Sequence, residues 1–300
     1  MENRVCQFKG MWFKVANLHF EMEGNEAEVL RFCPNLRPFL SAGAPSRLFH
    51  MSHGHTLAAP EGIPDVEEHI NGKHIRIWLS AEGYDIGLSS GRTFSASRLH
   101  ADHDWKQIET DLAFARIGDY ETLNDFLMLA FTYSAAFART VLVHASCVAV
   151  GDEGAAFIGQ SGAGKSTHSR LWLRHVPGCC LLNDDQPAVQ ISPVGEIRIF
   201  GTPWSGKTPC YRQDSARLMA FFRMRQAVAN RLVRPAPIEA FRLLLESASM
   251  IGRDSHTFEA ITRTLAEIAS RVPVYVLENR PEEAAVRLSS GQVFTSKPLR

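Results

Sequence analysis

The sequence predicts an α/β protein in two parts: a β-rich segment over about residues 1–115 and a nucleotide-binding core over about 116–300. Two observations divide it: period-two apolar alternation dominates the first part, whereas strand-like runs and helical stripes succeed one another in the second. A third gives the core its character. Gly159-Gln160-Ser161-Gly162-Ala163-Gly164-Lys165-Ser166 satisfies G-x-x-x-x-G-K-S/T at every fixed position, between an apolar run and a helical one.

In the first part, Met11 to Met22 alternates imperfectly, and Ile75 to Leu88 reads as a hairpin turning at Ala81-Glu82-Gly83. Ser41 to Asp65, rich in Gly, Pro, Ser and His, reads as loop. Helical periodicity then takes over: Leu123, Phe126, Leu127, Ala130, Phe131, Ser134 and Phe137 share one stripe, which is core packing. A strand is expected over Val141 to Val150, a turn at Gly151–Gly154, and a second strand over Ala155 to Ile158. A helix follows from Ser166 to Val176, stopped by Pro177-Gly178. Cys179 to Leu182 is a strand ending at Asn183-Asp184-Asp185, and Ala188–Ile191 with Glu196–Phe200 forms a hairpin around Ser192–Gly195. Two helices (about 237–249 and 255–270), a strand over Val272 to Glu278 and a helix near Glu282 complete the chain.

Strand, glycine loop and helix in that order place backbone N–H groups around an anion at a helix N-terminus. Gly159, Gln160, Ser161, Gly162, Ala163, Gly164, Lys165, Ser166 and Thr167 are the expected ATP-binding residues. Lys165 is expected to reach the β- and γ-phosphates, and Ser166, or Thr167 beside it, to ligate Mg²⁺.

Composition bounds the partners. The chain carries 45% apolar and 21% charged residues, as soluble globular proteins do. Its 32 basic and 32 acidic residues cancel, so no basic face for nucleic acid or acidic membrane is expected. No N-terminal apolar signal core is present, and Phe126 to Ala138 is too short to span a bilayer. Cys6, Cys33, Cys147, Cys179, Cys180 and Cys210 show no C-x-x-C spacing, which fits reduced thiols and a cytoplasmic protein.

Asp184-Asp185 follows Lys165 by nineteen positions at a strand end, where Mg²⁺ is held in phosphoryl-transfer sites. Two adjacent carboxylates can divide the work, one orienting the metal and the other taking a proton from a hydroxyl. The residues themselves leave open which does which. His144, on the preceding strand, is either a satisfied core histidine or a group that tunes Asp184. Gly201-Thr202-Pro203-Trp204-Ser205-Gly206-Lys207 has the look of a second anion-cradling turn, with Lys207 stabilising transferred charge; the plain reading is a Pro/Gly loop. His53-x-His55 and His100-x-x-His103-Asp104 resemble ligand spacing but fall in loop-like segments, with no four-ligand zinc set, and read as surface histidines. Arg223, Arg225 and Arg231 read first as solvated side chains, with an arginine reaching the active site as the alternative.

VHAS around His144, GQSGAGKST, LLNDD and the tail VPVYVLENRPEEAAVRL together resemble the C-terminal catalytic domain of HPr kinase/phosphorylase, within the phosphoenolpyruvate-carboxykinase-like P-loop group. The resemblance covers about Val141 to Leu288 and leaves the first 115 residues outside it. GTPWSGK is similar to a subgroup of largely unassigned substrate. The resemblance implies a P-loop core with a mixed sheet, ATP and Mg²⁺ as cofactors, Asp184 as general base toward a serine hydroxyl, Asp185 as its metal-linked neighbour and His144 as support for Asp184.

The function expected is therefore an ATP- and Mg²⁺-dependent kinase acting on a hydroxyl, with serine of a peptide or small protein as acceptor. Catalytic roles fall to Asp184, His144, Lys165 and Lys207, and metal ligation to Ser166 and Asp185. Two alternatives stay open: a nucleotide-binding regulatory or scaffold protein without transfer, and a small-metabolite kinase. The sequence leaves a homo-oligomer open.

Overall fold

The computed structural model describes residues 10–70, 72–90, 96–206, 208–250 and 254–294. The chain is a mixed α/β protein in two compact units, Met1–Ala135 with Ile251–Phe258, and Ala136–Met250 with Glu259–Arg300.

The first unit holds strands β1 (Met11–Val15), β2 (Leu18–Met22), β3 (Leu40–Ser41), β4 (His50–Ser52), β5 (Val66–Ile70), β6 (Lys73–Leu79), β7 (Gly83–Ser90), β8 (Ser97–Asp102) and β9 (Gln107–Thr110). They form one mixed sheet in the order β3-β1-β2-β4-β9-β8-β7-β6-β5, with β4 parallel to both its neighbours. The imperfect alternation of Met11–Met22 has a physical cause. Ala16 and Asn17 turn with φ of 49° and 63°, the pair of left-handed residues that a tight hairpin needs. Burial then changes phase, from Met11, Phe13 and Val15 to Phe20 and Met22. The expected hairpin at Ala81–Gly83 is present, with Leu79 opposite Tyr84. Helix α1 (Glu26–Phe32) is capped by the Asn25 side chain, and helix α2 (Ile117–Ala136) carries the predicted stripe as far as Ser134, whereas Phe137 lies past its end and is exposed rather than core. Leu123, Phe126, Leu127, Ala130 and Phe131 are buried with Phe13, Phe20 and Phe49, whose rings stack at centroid distances of 5.4 and 4.7 Å.

The second unit contains β10 (Thr140–Leu142), β11 (Ala145–Val150), β12 (Glu153–Ile158), α3 (Lys165–His175), β13 (Cys179–Asn183), β14 (Ala188–Ile191), β15 (Ile197–Phe200), β16 (Ser215–Gln226), β17 (Arg231–Val233), α4 (Pro237–Leu245), β18 (Val274–Asn279) and α6 (Glu283–Val293). Helix α5 (Ser255–Arg271) begins in the segment assigned to the first unit and continues in the second. The sheet order is β10-β14-β15-β16-β12-β11-β13, with β18 added beside β16 and β17 beyond it. It too is mixed: β12 and β18 run parallel to β16, and the other pairs are antiparallel.

Ser41–Asp65 is not all loop, since β4 (His50–Ser52) lies within it and joins β2 to β9, and two further departures stand out in the second unit. The stretch Val141–Val150 is not one strand but two, broken at Val143-His144. The twelve-residue β16 is the other. It pairs with β12 on one edge and with β15, then β18, on the other, and its middle (Ala220–Phe222) is also buried on both faces, so alternation lapses there.

Order positions and chain connectivity together show how this sheet is shaped. β10 and β11 lie far apart in the order yet only two residues separate them, and β13 and β14 are joined by four. Such spans reach only about 10 and 17 Å, and the sheet must curl until its ends meet. They do. The Val143 amide donates to the Pro187 carbonyl (3.1 Å) and the Ala145 amide to the Asp185 carbonyl (2.9 Å), lacing the two breaks into a seam.

Helices α3 and α6 pack on the sheet through Phe157, Trp172, Phe222, Leu277, Val286 and Val293. Within that layer His168 is 1% exposed. Its Nε2 accepts from the Trp172 indole (3.2 Å) and lies 2.9 Å from the Ser289 hydroxyl. Burial pushes its pKa down to about 4. The neutral ring is therefore the folded form, and the unfolded chain takes up the proton first as pH falls. The stability that His168 links to pH is complete above about 6.5 and is lost progressively as pH drops toward 4, by roughly 3 kcal/mol in total. Urea unfolding between pH 7.5 and 4 should show that loss, and His168→Gln should flatten it.

Candidate active site

The site is assembled at the C-terminal end of β12. Ile158 is fully buried, and the chain leaves the strand through Gly159 at φ +151°, where an added Cβ would meet Ala163 Cβ at 3.1 Å and the Met224 carbonyl at 3.4 Å. Gly162 and Gly164 take φ of +80° and +99°, conformations that side chains rarely adopt. The Ala163 amide donates to the Gln160 carbonyl (3.1 Å), tightening the bend, and the Gln226 side-chain amide donates to the Gly162 carbonyl (2.9 Å). β16 thus holds the loop from outside. Gln160, Ser161 and Gly162 are exposed, Ser166 is half-buried and Thr167 exposed. Helix α3 starts at Lys165 with Gly164 as its N-cap, no side chain capping it and no acidic residue in its first turn. Those first-turn N–H groups are what an anion would meet.

Lys165 turns back over the loop. Its ammonium donates to the Gly159 carbonyl (2.8 Å), the Gln160 carbonyl (3.3 Å) and His144 Nε2 (2.9 Å). Burial holds the Lys165 pKa below its usual range; Asp185 and Asp184 oppose that shift while Arg223 adds to it.

The seam supplies the partners. His144 stands in the break between β10 and β11, its amide donating to the Ser247 carbonyl (2.7 Å). Its Nδ1 lies 2.9 Å from Asp185 Oδ1. An ammonium can only donate, so Nε2 is the acceptor and the ring proton sits on Nδ1, directed at Asp185. The result is a line of hydrogen bonds, Lys165 to His144 to Asp185.

His144 therefore meets Asp185, whereas the sequence reading paired it with Asp184. Consecutive residues at a strand end project to opposite sides. Asp184 goes inward, 8% exposed, and its Oδ1 accepts from the buried Ser146 hydroxyl at 2.7 Å, itself 2.6 Å from Ser169 on α3. Asp185 goes outward, its side chain 35% exposed.

Asn183 fixes this divergence, and sequence reasoning gave it no role. It is fully buried. Its carbonyl oxygen accepts from the amides of Asp185 and Gln186, both at 2.9 Å, forming the turn that carries the acidic pair. Its NH₂ group donates to Thr202 Oγ1 (3.1 Å) and to the carbonyls of Thr202 (3.3 Å) and Trp204 (3.1 Å). The Gly201–Gly206 segment is thus the wall behind the acidic turn: Thr202 donates to the Gln186 carbonyl (2.7 Å), and a Cβ on Gly206 would meet the Asp184 carbonyl at 3.0 Å. Lys207 lies outside the described residues. The one sequence signal for Asn183 was an Asx residue opening a turn, in a stretch read only for its carboxylates.

Arg223 and Arg225 extend β16 past the loop. With Gln160, Ala163, Met224 and Gln226 they line an open cavity of about 450 Å³. Arg223 is not solvated as expected: its side chain is 12% exposed and pairs with Glu246 at 3.3 Å. The parts present fit a polyphosphate: glycine bend, uncapped helix end, lysine and arginine. The Ser166 hydroxyl and the carboxylates of Asp184 and Asp185 are the hard oxygen donors suited to Mg²⁺.

Asn183→Ala would leave buried amides and carbonyls of the turn without partners. The expected loss of stability is about 2–4 kcal/mol, with faster amide exchange at Asp185 and Gln186. Urea unfolding and hydrogen–deuterium exchange measure both.

No known family model matches the chain, and no curated protein matches it. Among solved structures it is similar to the Hpr(Ser) kinase/phosphatase from Coxiella burnetii, with 13% identity and a TM-score of 0.25 over 50% of this chain and 90% of that one. A likeness of that size assigns no family. None of the described helices is long and apolar enough to cross a membrane.

Proposed function

We propose that the protein is an ATP- and Mg²⁺-dependent kinase that moves the γ-phosphoryl group to a hydroxyl, with serine of a peptide or small protein as the acceptor class. The observation that carries this reading is the hydrogen-bonded line from Lys165 through His144 to Asp185 beside the uncapped start of α3. It joins a phosphate-binding cation to a carboxylate facing the open side.

The division of labour between the carboxylates follows from their surroundings. Asp185 is the base in this reading: it is accessible, and the Nδ1–H of His144 holds one of its oxygens while the other is left for an acceptor proton. Asp184, buried against Ser146, belongs to the metal side. The acceptor oxygen forms a bond to the γ-phosphorus as the bond from that phosphorus to the bridging oxygen of ADP breaks. The acceptor proton passes to Asp185. Glycine-loop amides and Lys165 hold the phosphates in line, and Arg223 adds positive charge at the rim. Mg²⁺, held by Ser166 and Asp184, would neutralise charge on the β- and γ-phosphates.

Purified protein incubated with γ-labelled ATP, Mg²⁺, serine peptides and small alcohols tests the reading. Label should pass to peptide. Label on the alcohols alone would make this a metabolite kinase, and binding without transfer a nucleotide-dependent regulator. Lys165→Ala should weaken ATP binding by about 100-fold or more, and Asp185→Asn should keep binding but slow turnover by about 10²–10⁴-fold. A larger turnover defect in Asp184→Asn than in Asp185→Asn would reverse the assignment of the base.

A further inference from the structure

Two histidines and a carboxylate meet in the first unit, none of them among the candidate active-site residues. His103 and Asp104 form the turn between β8 and β9, and His256 stands in the first turn of α5. One ligand atom from each lies within 4.8 Å of the others. Asp104 Oδ1 is 3.6 Å from His256 Nε2, and the two imidazole rings are 4.4 Å apart. The sequence paired His103 with His100, but His100 Nδ1 is engaged with Asp85 Oδ1 at 2.9 Å. The relevant partner is about 150 positions further along the chain, beyond the reach of any spacing pattern.

The supports of this cluster share one hub. Tyr84, 2% exposed, donates its hydroxyl to Asp254 Oδ2 at 3.0 Å. Asp254 in turn accepts from the amides of His256 (3.1 Å) and Thr257 (3.0 Å), so it caps the helix start that presents His256. The same Tyr84 ring packs on Trp105 at 4.8 Å. Trp105 is fully buried at φ +56°, and the Ser134 hydroxyl donates to its carbonyl (2.6 Å), which fixes the turn that presents His103 and Asp104. Lys106 takes Asp104 Oδ2 at 3.1 Å and leaves Oδ1 toward His256. Ligand groups carried by such braced backbone need only side-chain rotation to close on an ion.

We propose that His103, Asp104 and His256 form a binding site for a late first-row divalent cation, with zinc as the ion of best fit. Two imidazoles and one carboxylate are borderline-to-hard ligands that suit zinc, and three protein ligands leave a fourth position for water. A bound ion would fasten the start of α5 to the β8–β9 turn. This site shares no residue with the Mg²⁺ position proposed at Ser166 and Asp184.

The full chain, stripped with chelator, is titrated with ZnCl₂ by calorimetry at pH 7.5, and with CoCl₂ by visible absorption. One ion per chain should bind with a dissociation constant below about 10 µM, and His103→Ala, Asp104→Asn and His256→Ala should each weaken it by at least ~10-fold. Zinc should raise the melting temperature of the parent chain and not of these variants. His103 is exposed, so its variant tests the site without disturbing the core. Affinity weaker than about 100 µM, or zinc binding equal in parent and His103→Ala chains, would overturn the proposal.

Discussion

The seam between residues 143–145 and 184–187 is the constraint on which the candidate site depends. Neither break is a site by itself. His144 interrupts one strand and Asp184-Asp185 ends another, and the two segments meet because the sheet curls until the ends of its order join. Hydrogen bonds from the Val143 and Ala145 amides to the carbonyls of Pro187 and Asp185 set the spacing. The imidazole-to-carboxylate distance of 2.9 Å is a consequence of that lacing. β12 lies beside β11 in the same sheet, so the glycine loop that leaves it is delivered to the same end.

Much of the core's element order was legible from residues 120–293. The strand before the glycine loop, the helix after it, the hairpin around Ser192–Gly195 and the final helix–strand–helix run all carry strong local signals. Periodicity, Gly/Pro punctuation and a fixed motif are local properties, and these elements are determined locally. What escaped was set by distant partners. β16 is flanked by strands on both edges, and burial on both faces erases the alternation that marks a strand. The break at His144 has no turn residue to announce it; it lies where the chain passes from pairing with β14 at Leu142 to pairing with β12 at Ala145.

The candidate residues divide the same way. The glycine bend and Lys165 were readable because one short segment carries the glycines that set the bend's shape, even though Gln226 and His144 hold it from outside. Which carboxylate faces His144 was not, since it turns on Asn183, whose bonds reach Thr202 and Trp204 some twenty residues away. Arg223 looked solvated because an arginine in an apolar strand gives no sign of the glutamate waiting on α4's C-terminal end. The pairing of His103 with His256 lies at the far end of this scale.

The state of Lys165 explains why an imidazole belongs beside the loop. An ammonium has three protons, and here three acceptors take them: two loop carbonyls and His144 Nε2. A half-buried lysine with an unmet proton would be costly, so the arrangement is stable without a ligand. A phosphate oxygen can then engage Lys165 only by replacing one acceptor. The carbonyls are fixed by the glycine bend itself, whereas the His144 side chain is 41% exposed and has water to turn to. In the proposed reading, displacing it would free Nε2 while Nδ1 stays on Asp185. Occupation of the loop would thereby be coupled to the carboxylate through a single ring, a coupling that a glycine bend merely holding an anion would lack.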